Sequence, residues 1–169
     1  QLRLKKESEK KKIIIAKKIF KICKKNKVKF IINDNPNLAL KVNAHGCHLG
    51  QNDMNINQAK KILKNKIIGV TCHNSIKLAR KASFNGASYI ALGAFYKTRT
   101  KKVKYKANLK TLNRIKKSLN LPVVAIGGIN DKNYKNLLLN KADFLAISSY
   151  IWNNKKFKPH QAIKNFYEN

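Results

Sequence analysis

The sequence predicts an α/β fold in which a parallel sheet and its helices wind into a TIM (β/α)8 barrel, and three observations predict it. Six short, largely apolar runs recur at intervals of about twenty residues: Val28 to Ile32, Cys47 to Leu49, Ile67 to Val70, Tyr89 to Leu92, Val123 to Ile126 and Phe144 to Ile147. They show little polar and apolar alternation, as expected of strands buried on both faces. Helix-length segments separate them. Finally, each run closes on polar or small residues: Asn33-Asp34, Gly50 to Asp53, Thr71, Thr98 to Lys101, Gly127-Gly128 and Ser148-Ser149. In a barrel those endings gather on the face where the loops after the strands build an active site.

Taken in order, Gln1 to Lys5 reads as a first strand remnant. Glu7 to Asn26 reads as a helix with Ile15, Ile19, Ile22 and Cys23 in a stripe and Lys around it. Asn35 to Asn43 is poor in helix signals. Asn57 to Lys64 carries Ala59, Ile62 and Leu63; Asn74-Ser75 can cap a helix from Ile76 to Asn85, and Gly86 suits its stop. Leu109, Leu112, Ile115 and Leu119 line the next helix before Pro122 opens a strand. Asp131 can cap the helix carrying Tyr134, Leu137 and Leu138, and Pro159 stands at the start of a last helix. No linker divides residues 1–169, which predicts a single domain. Counting the remnant gives seven strands, whereas an eight-stranded barrel typically takes about 250 residues. The expectation is therefore a barrel lacking its first strand and helix, which would lie before Gln1.

The net charge is +31, from 38 Lys plus Arg against 7 Asp plus Glu. Such a balance points first to nucleic acid or an anionic membrane. Only four of the basic residues are Arg, the usual reader of phosphate forks and guanine. Lys, Asn and Ile are abundant together, the mark of AT-rich coding, and the Lys runs fall on outer helix faces. Neither nucleic acid nor membrane is expected as a partner, although the positive field suits phosphorylated small molecules. Cys23, Cys47 and Cys72 form no C-x-x-C spacing and no even set, which predicts reduced thiols and a cytoplasmic location. Cys47-His48 and Cys72-His73 make a poor zinc site, because neighbours on a strand point to opposite faces.

Two of the seven carboxylates, Asp34 and Asp53, close adjacent strands. They cap the segments that follow, or they offer hard oxygen ligands suited to Mg²⁺. Arg3, Lys5, Asn33 and Lys101 stand around them. Cations and a metal together describe a diphosphate site, because leaving-group charge must be neutralised as it develops. Gly127-Gly128 and Ser148-Ser149 end the last two strands, where barrels bind phosphate through backbone N–H groups. His48 is expected to be a packed or hydrogen-bonded strand histidine, and Trp152 a packing residue.

Gln1-Leu2-Arg3-Leu4-Lys5, Ile31-Ile32-Asn33-Asp34, His48-Leu49-Gly50-Gln51-Asn52-Asp53, Gly69-Val70-Thr71, Thr98-Arg99-Thr100-Lys101, Ala125-Ile126-Gly127-Gly128-Ile129 and Ile147-Ser148-Ser149 resemble, in order, the motifs of the thiamine phosphate synthase family. The resemblance implies that Gln1, Arg3 and Lys5 hold hydroxymethylpyrimidine diphosphate and that Asn33 contacts the pyrimidine. It makes Asp34 and Asp53 the Mg²⁺ ligands, Thr71 a diphosphate hydroxyl, and Lys101 the diphosphate lysine. Thr98, Arg99 and Thr100 would form the turn that meets a thiazole phosphate, with Gly128, Ser148 and Ser149 as its phosphate pocket. Arg3, Lys5 and Lys101 would then be the catalytic cations. The implied reaction joins the two small molecules with loss of diphosphate. Lys97, Asn35 and Phe144 depart from the family's usual Pro, Arg and Gly. Rival readings are a thiazole tautomerase of the same superfamily, an inactive barrel fragment, and a basic nucleic-acid-binding protein.

Overall fold

Short polar side chains set where the helices begin. The computed structural model describes residues 1–98 and 104–167. Ser8 accepts the Lys11 N–H ahead of α1 (Glu9–Lys25), Asn35 that of Leu38 ahead of α2 (Pro36–Lys41), and Asn55 that of Gln58 ahead of α3 (Ile56–Leu63). Ser75 does the same for Leu78 in α4 (Ile76–Phe84), and Asn108 for Thr111 in α5 (Leu109–Ser118). Each bond satisfies an N–H that the first helical turn leaves open.

The chain packs as two compact units, Gln1–Thr71 with Phe84–Ser88, and Cys72–Ser83 with Tyr89–Asn169. In the first, β1 (Ile31–Asn33) pairs in parallel with β2 (Gly46–Leu49), and β2 with β3 (Ile67–His73). The register places Asn33 beside His48, and His48 beside Gly69. Ile32, Leu49, Leu63 and Ile68 are fully buried there. In the second, β4 (Tyr89–Gly93), β5 (Val123–Ile126) and β6 (Phe144–Ala146) pair in parallel in sequence order. Ile90, Leu92, Leu112, Ile115 and Leu137 form its core, with α6 (Tyr134–Leu139), α7 (Ser149–Trp152) and α8 (Pro159–Lys164) completing the unit.

Several expectations need correcting. Among the described residues six strands form. Gln1 to Lys5 contributes one parallel bridge, in which Leu2 donates to Ile31 O at 2.9 Å and accepts from Asn33 N at 3.0 Å. The full barrel is thus not what these residues establish; what they establish is an α/β fold with parallel strands. The first apolar run pairs later than Val28, because the Val28 N–H closes α1 on Cys23 O at 2.8 Å and the Phe30 N–H goes to His45 Nδ1 at 2.8 Å. Thr71 lies inside β3 rather than after it. The segment read as poor in helix signals holds α2, started by Asn35 and by Pro36 with its preset φ. In α1 the inward face carries Ala16 and Phe20, and Phe20 packs on Phe30 and His45, while Ile22 is 63% exposed. Asp131 does not cap α6: Asn133 precedes that helix, and its amide oxygen takes the Asn130 N–H. Trp152 is 71% exposed, so it is not a packing residue. Among the described residues no helix is long and apolar enough to cross a membrane.

Asp143 shows how one acid ties strand to helix. Its carboxylate accepts from the Val123 N–H at 2.7 Å and from Lys116 Nζ at 2.7 Å. Burial opposes the charge, but Lys116 and that N–H outweigh it and hold the carboxyl below its usual range. A depressed carboxyl adds stability above its unfolded pKa of about 3.9, and the gain is lost as pH falls through the folded value. The stability difference between wild type and Asp143→Asn should therefore be full near neutrality and shrink below about pH 4. Denaturant titrations across that range measure it, and a gap that widens on acidification would contradict the linkage.

Candidate functional site

The end of β1 carries the chemistry of the first unit. Asp34 takes a left-handed backbone, φ 67°, a conformation that Asp tolerates better than most residues. Its N–H donates to His48 O at 2.8 Å, and Asn35 N donates to Asn33 O at 3.0 Å. The chain thus bends sharply where strand gives way to α2. Lys5 Nζ donates to Asp34 Oδ2, and Gln1 Nε2 to Asn33 Oδ1 at 2.5 Å. After β2, the turn from Gly50 to Asp53 folds on itself: Gly50 N donates to Asp53 Oδ2 at 2.7 Å, and Asp53 N to Gly50 O at 3.3 Å. A Cβ on Gly50 would stand 2.8 Å from that same carboxylate oxygen.

The Asp34 and Asp53 carboxyls lie within hydrogen-bonding reach of each other. Burial disfavours both charges. At Asp34 the Lys5 ammonium, the Asp53 hydrogen bond and the Arg3 field outweigh it and keep the carboxyl low. At Asp53 burial and the facing Asp34 charge together push the carboxyl up. The charge on Asp34 thus opposes ionisation of Asp53, and a cation between them would favour both charged forms. Among the described residues no group of three His, Cys, Asp or Glu could hold a metal. Two carboxylates with the remaining positions left to water and phosphate oxygens is nevertheless the donor set that Mg²⁺ takes beside a phosphorylated substrate, so the residues present fit such an ion.

These groups line a cavity of about 440 Å³, within the usual range of small-molecule sites. Arg3, Lys5, Asn33, Asp34 and Asp53 give it polar walls, and Ile32, Pro36, Leu38 and Met54 apolar ones. Lys12 lines it too; as part of a Lys run it reads in the sequence only as solvated helix face. His48 is buried in β2, and its Nε2 lies 2.8 Å from Thr71 Oγ1. Burial pushes its imidazole down to about 4, against the pull of Asp34, so the ring is neutral at physiological pH. Gln51 Nε2 donates to Thr71 O. Buried Cys47 and Cys72 have thiols pushed up to about 12 by burial, which makes them inert core residues rather than ligands or nucleophiles.

In the second unit, Gly127 and Gly128 follow β5 with φ of 103° and 66°. A Cβ on Gly128 would meet the Tyr96 carbonyl carbon and Cβ at 2.8 Å. The stretch after β4 is stitched to this turn: Tyr96 N donates to Gly127 O at 3.0 Å, Tyr96 OH to Asn133 O at 3.0 Å, and Asn133 Nδ2 to Gly128 O at 3.0 Å. Ser148 precedes α7, and its hydroxyl makes no capping bond; its carbonyl takes the Ile151 and Trp152 N–H groups instead. Because Ile126 and Ala146 are register partners, the diglycine turn and Ser148-Ser149 leave neighbouring strands at the same end. Thr98 is half-buried in this unit, whereas Arg99, Thr100 and Lys101 lie outside the described residues.

In an α/β protein, paired carboxylates among lysines and an arginine in one unit, and a diglycine turn with adjacent serines in the other, are residue types that suit phosphorylated small molecules. Residues 1–151 match the family described as thiamine monophosphate synthase, and the chain belongs to that family. It is 68% identical over 164 residues to the thiamine-phosphate synthase of Pelagibacter ubique, covering 97% of this chain and 79% of the relative. The thiamine-phosphate synthase of Clostridium tetani is 43% identical over 152 residues, covering 89% of this chain and 72% of its own length. A solved structure of thiamine phosphate pyrophosphorylase from Pyrococcus furiosus superposes with a TM-score of 0.89 at 30% identity, covering 98% of this chain and 79% of that one.

Proposed function

We infer that the protein is an enzyme, a transferase that joins 4-amino-2-methyl-5-(diphosphooxymethyl)pyrimidine to a thiazole phosphate and releases thiamine phosphate and diphosphate. One observation carries the reading: the Asp34 carboxylate, tied to Lys5 and facing Asp53, lines a cavity with Arg3. The match to thiamine-phosphate synthases supports the same substrates. In the reaction the bond between the pyrimidine methylene and the diphosphate oxygen breaks, and its electrons leave with diphosphate. The thiazole nitrogen then supplies the pair for the new C–N bond. No protein nucleophile is needed, so catalysis rests on positioning and charge.

In this reading Gln1 and Asn33, which are bonded to each other, hold the pyrimidine, while Arg3, Lys5 and Thr71 meet the diphosphate. Lys101 is assigned to the same group by its motif. Asp34 and Asp53 would hold Mg²⁺, which neutralises the charge that develops on the leaving group. Gly128, Ser148 and Ser149, with Thr98, Arg99 and Thr100, would take the thiazole phosphate. A tautomerase acting on the thiazole alone would have no use for Arg3, Lys5, Asp34 and Asp53. The barrel of the family is the architecture this reading assumes, and three cysteines outside any disulfide fit a reducing cytoplasm.

The test incubates the protein with both substrates and follows diphosphate and thiamine phosphate together. Equal amounts of the two products, formed with Mg²⁺ and suppressed by a chelator, are expected. Release of neither product in the presence of Mg²⁺ would refute the synthase reading.

A further inference from the structure

His48 belongs to none of the groups assigned above, yet three elements of the first unit meet at it. Its carbonyl anchors the Asp34 turn and its ring reaches Thr71, while its strand neighbours in register are Asn33 and Gly69. Gly69 and Thr71 are two apart on β3 and so face the same side of the sheet. With no side chain at Gly69, the imidazole can lean along β3 to the threonine hydroxyl, where Nε2 comes to 2.8 Å from Oγ1. Thr71 is fixed from the backbone side as well, since its carbonyl accepts from Gln51 Nε2. One bond fixes the backbone and the other the hydroxyl.

The direction of the side-chain bond decides what the hydroxyl can offer. A neutral imidazole carries one N–H, on Nε2 or on Nδ1. If Thr71 donated to Nε2, its oxygen would present only lone pairs to an incoming anion. If Nε2–H donates to Oγ1, the Thr71 proton is free for a phosphoryl oxygen. We propose that His48 is a positioning residue that donates from Nε2–H to Thr71 Oγ1 and thereby aims the Thr71 hydroxyl proton at the diphosphate of the pyrimidine substrate. This rests on the synthase reading, in which Thr71 contacts that diphosphate.

The probe is inorganic diphosphate, titrated calorimetrically in the presence of Mg²⁺ into wild type, His48→Gln, His48→Asn, Thr71→Val and the double variant with His48→Asn. The Gln amide nitrogen reaches the place of Nε2, whereas Asn stops near that of Nδ1. His48→Gln should bind within about threefold of wild type, and His48→Asn about tenfold more weakly, the loss of one hydrogen bond. In the Thr71→Val background the His48→Asn effect should fall below about twofold, because the two groups act as a unit. Equal losses in Gln and Asn, or an unchanged effect without the Thr71 hydroxyl, would overturn the proposal. Wild type that binds no diphosphate would sink the synthase reading itself, a different outcome from a flat cycle. Nitrogen NMR of the wild-type imidazole tests the same point without a variant: a proton on Nδ1 rather than Nε2 overturns it.

Discussion

Asp34→Asn lowers Mg²⁺-dependent formation of thiamine phosphate by a factor on the order of a thousand, as expected when charge stabilisation of a leaving group is lost. Asn is the informative substitution because it also accepts the left-handed backbone that Asp34 adopts at φ 67°, so the turn into α2 should survive. The Lys5 ammonium loses its counter-ion, and Asp53 loses the neighbour that pushes its carboxyl up. Asp53 alone then offers one hard ligand. Asp34→Ala should match that loss of rate and add a stability loss of about 1 kcal/mol from strain at a positive φ. Thiazole-phosphate binding should be unchanged in both variants, since its assigned residues belong to the other unit. Steady-state rates, a calorimetric titration with thiazole phosphate and thermal unfolding together measure the three parts. An Asn variant that retains a tenth or more of wild-type turnover would remove Asp34 from the metal site.

Gly128→Ala should do the reverse and raise the KM for thiazole phosphate by about a hundredfold or more, with a smaller change in affinity for the pyrimidine diphosphate. At φ 66° any Cβ is strained, and this one would press into the Tyr96 backbone at 2.8 Å. Tyr96 cannot yield alone, because its N–H is bonded to Gly127 O and its hydroxyl to Asn133 O. The turn, the stretch after β4 and Asn133 would have to move together, and stability should drop by about 1–3 kcal/mol. Product formation measured against each substrate in turn separates the effects. A variant with unchanged thiazole-phosphate KM would show that the diglycine turn serves the backbone alone.

Much of the site is legible because its chemistry sits where strands end. Asp34 and Asp53 stand out as two of seven acids in a chain of 38 bases, and Gly127-Gly128 marks a turn that only glycine enters easily. Local rules also reveal some helix starts, since Ser75 satisfies the N–H three residues on and Pro159 opens α8, whereas the same caps at Ser8, Asn55 and Asn108 are not singled out. The α2 start at Asn35-Pro36 obeys the same rule and escapes notice because so short a helix has no room for a periodic stripe.

Composition, strand spacing and strand-end residues in the sequence by themselves determined the α/β class, the parallel pairing and the residue types that suit a diphosphate and a divalent cation. Each depends on neighbours in the chain or on a short repeat. Only the tertiary structure decided that Asp34 and Asp53 face each other, that Lys12 turns to the cavity, and that His48 reaches Thr71 across 23 positions of sequence. The same holds for Val28, which looked like strand until α1 claimed its N–H, and for Trp152, expected to pack yet left exposed. Those outcomes come from contacts between segments distant in sequence, where register, burial and the mutual repulsion of two carboxylates are fixed only once the strands lie side by side.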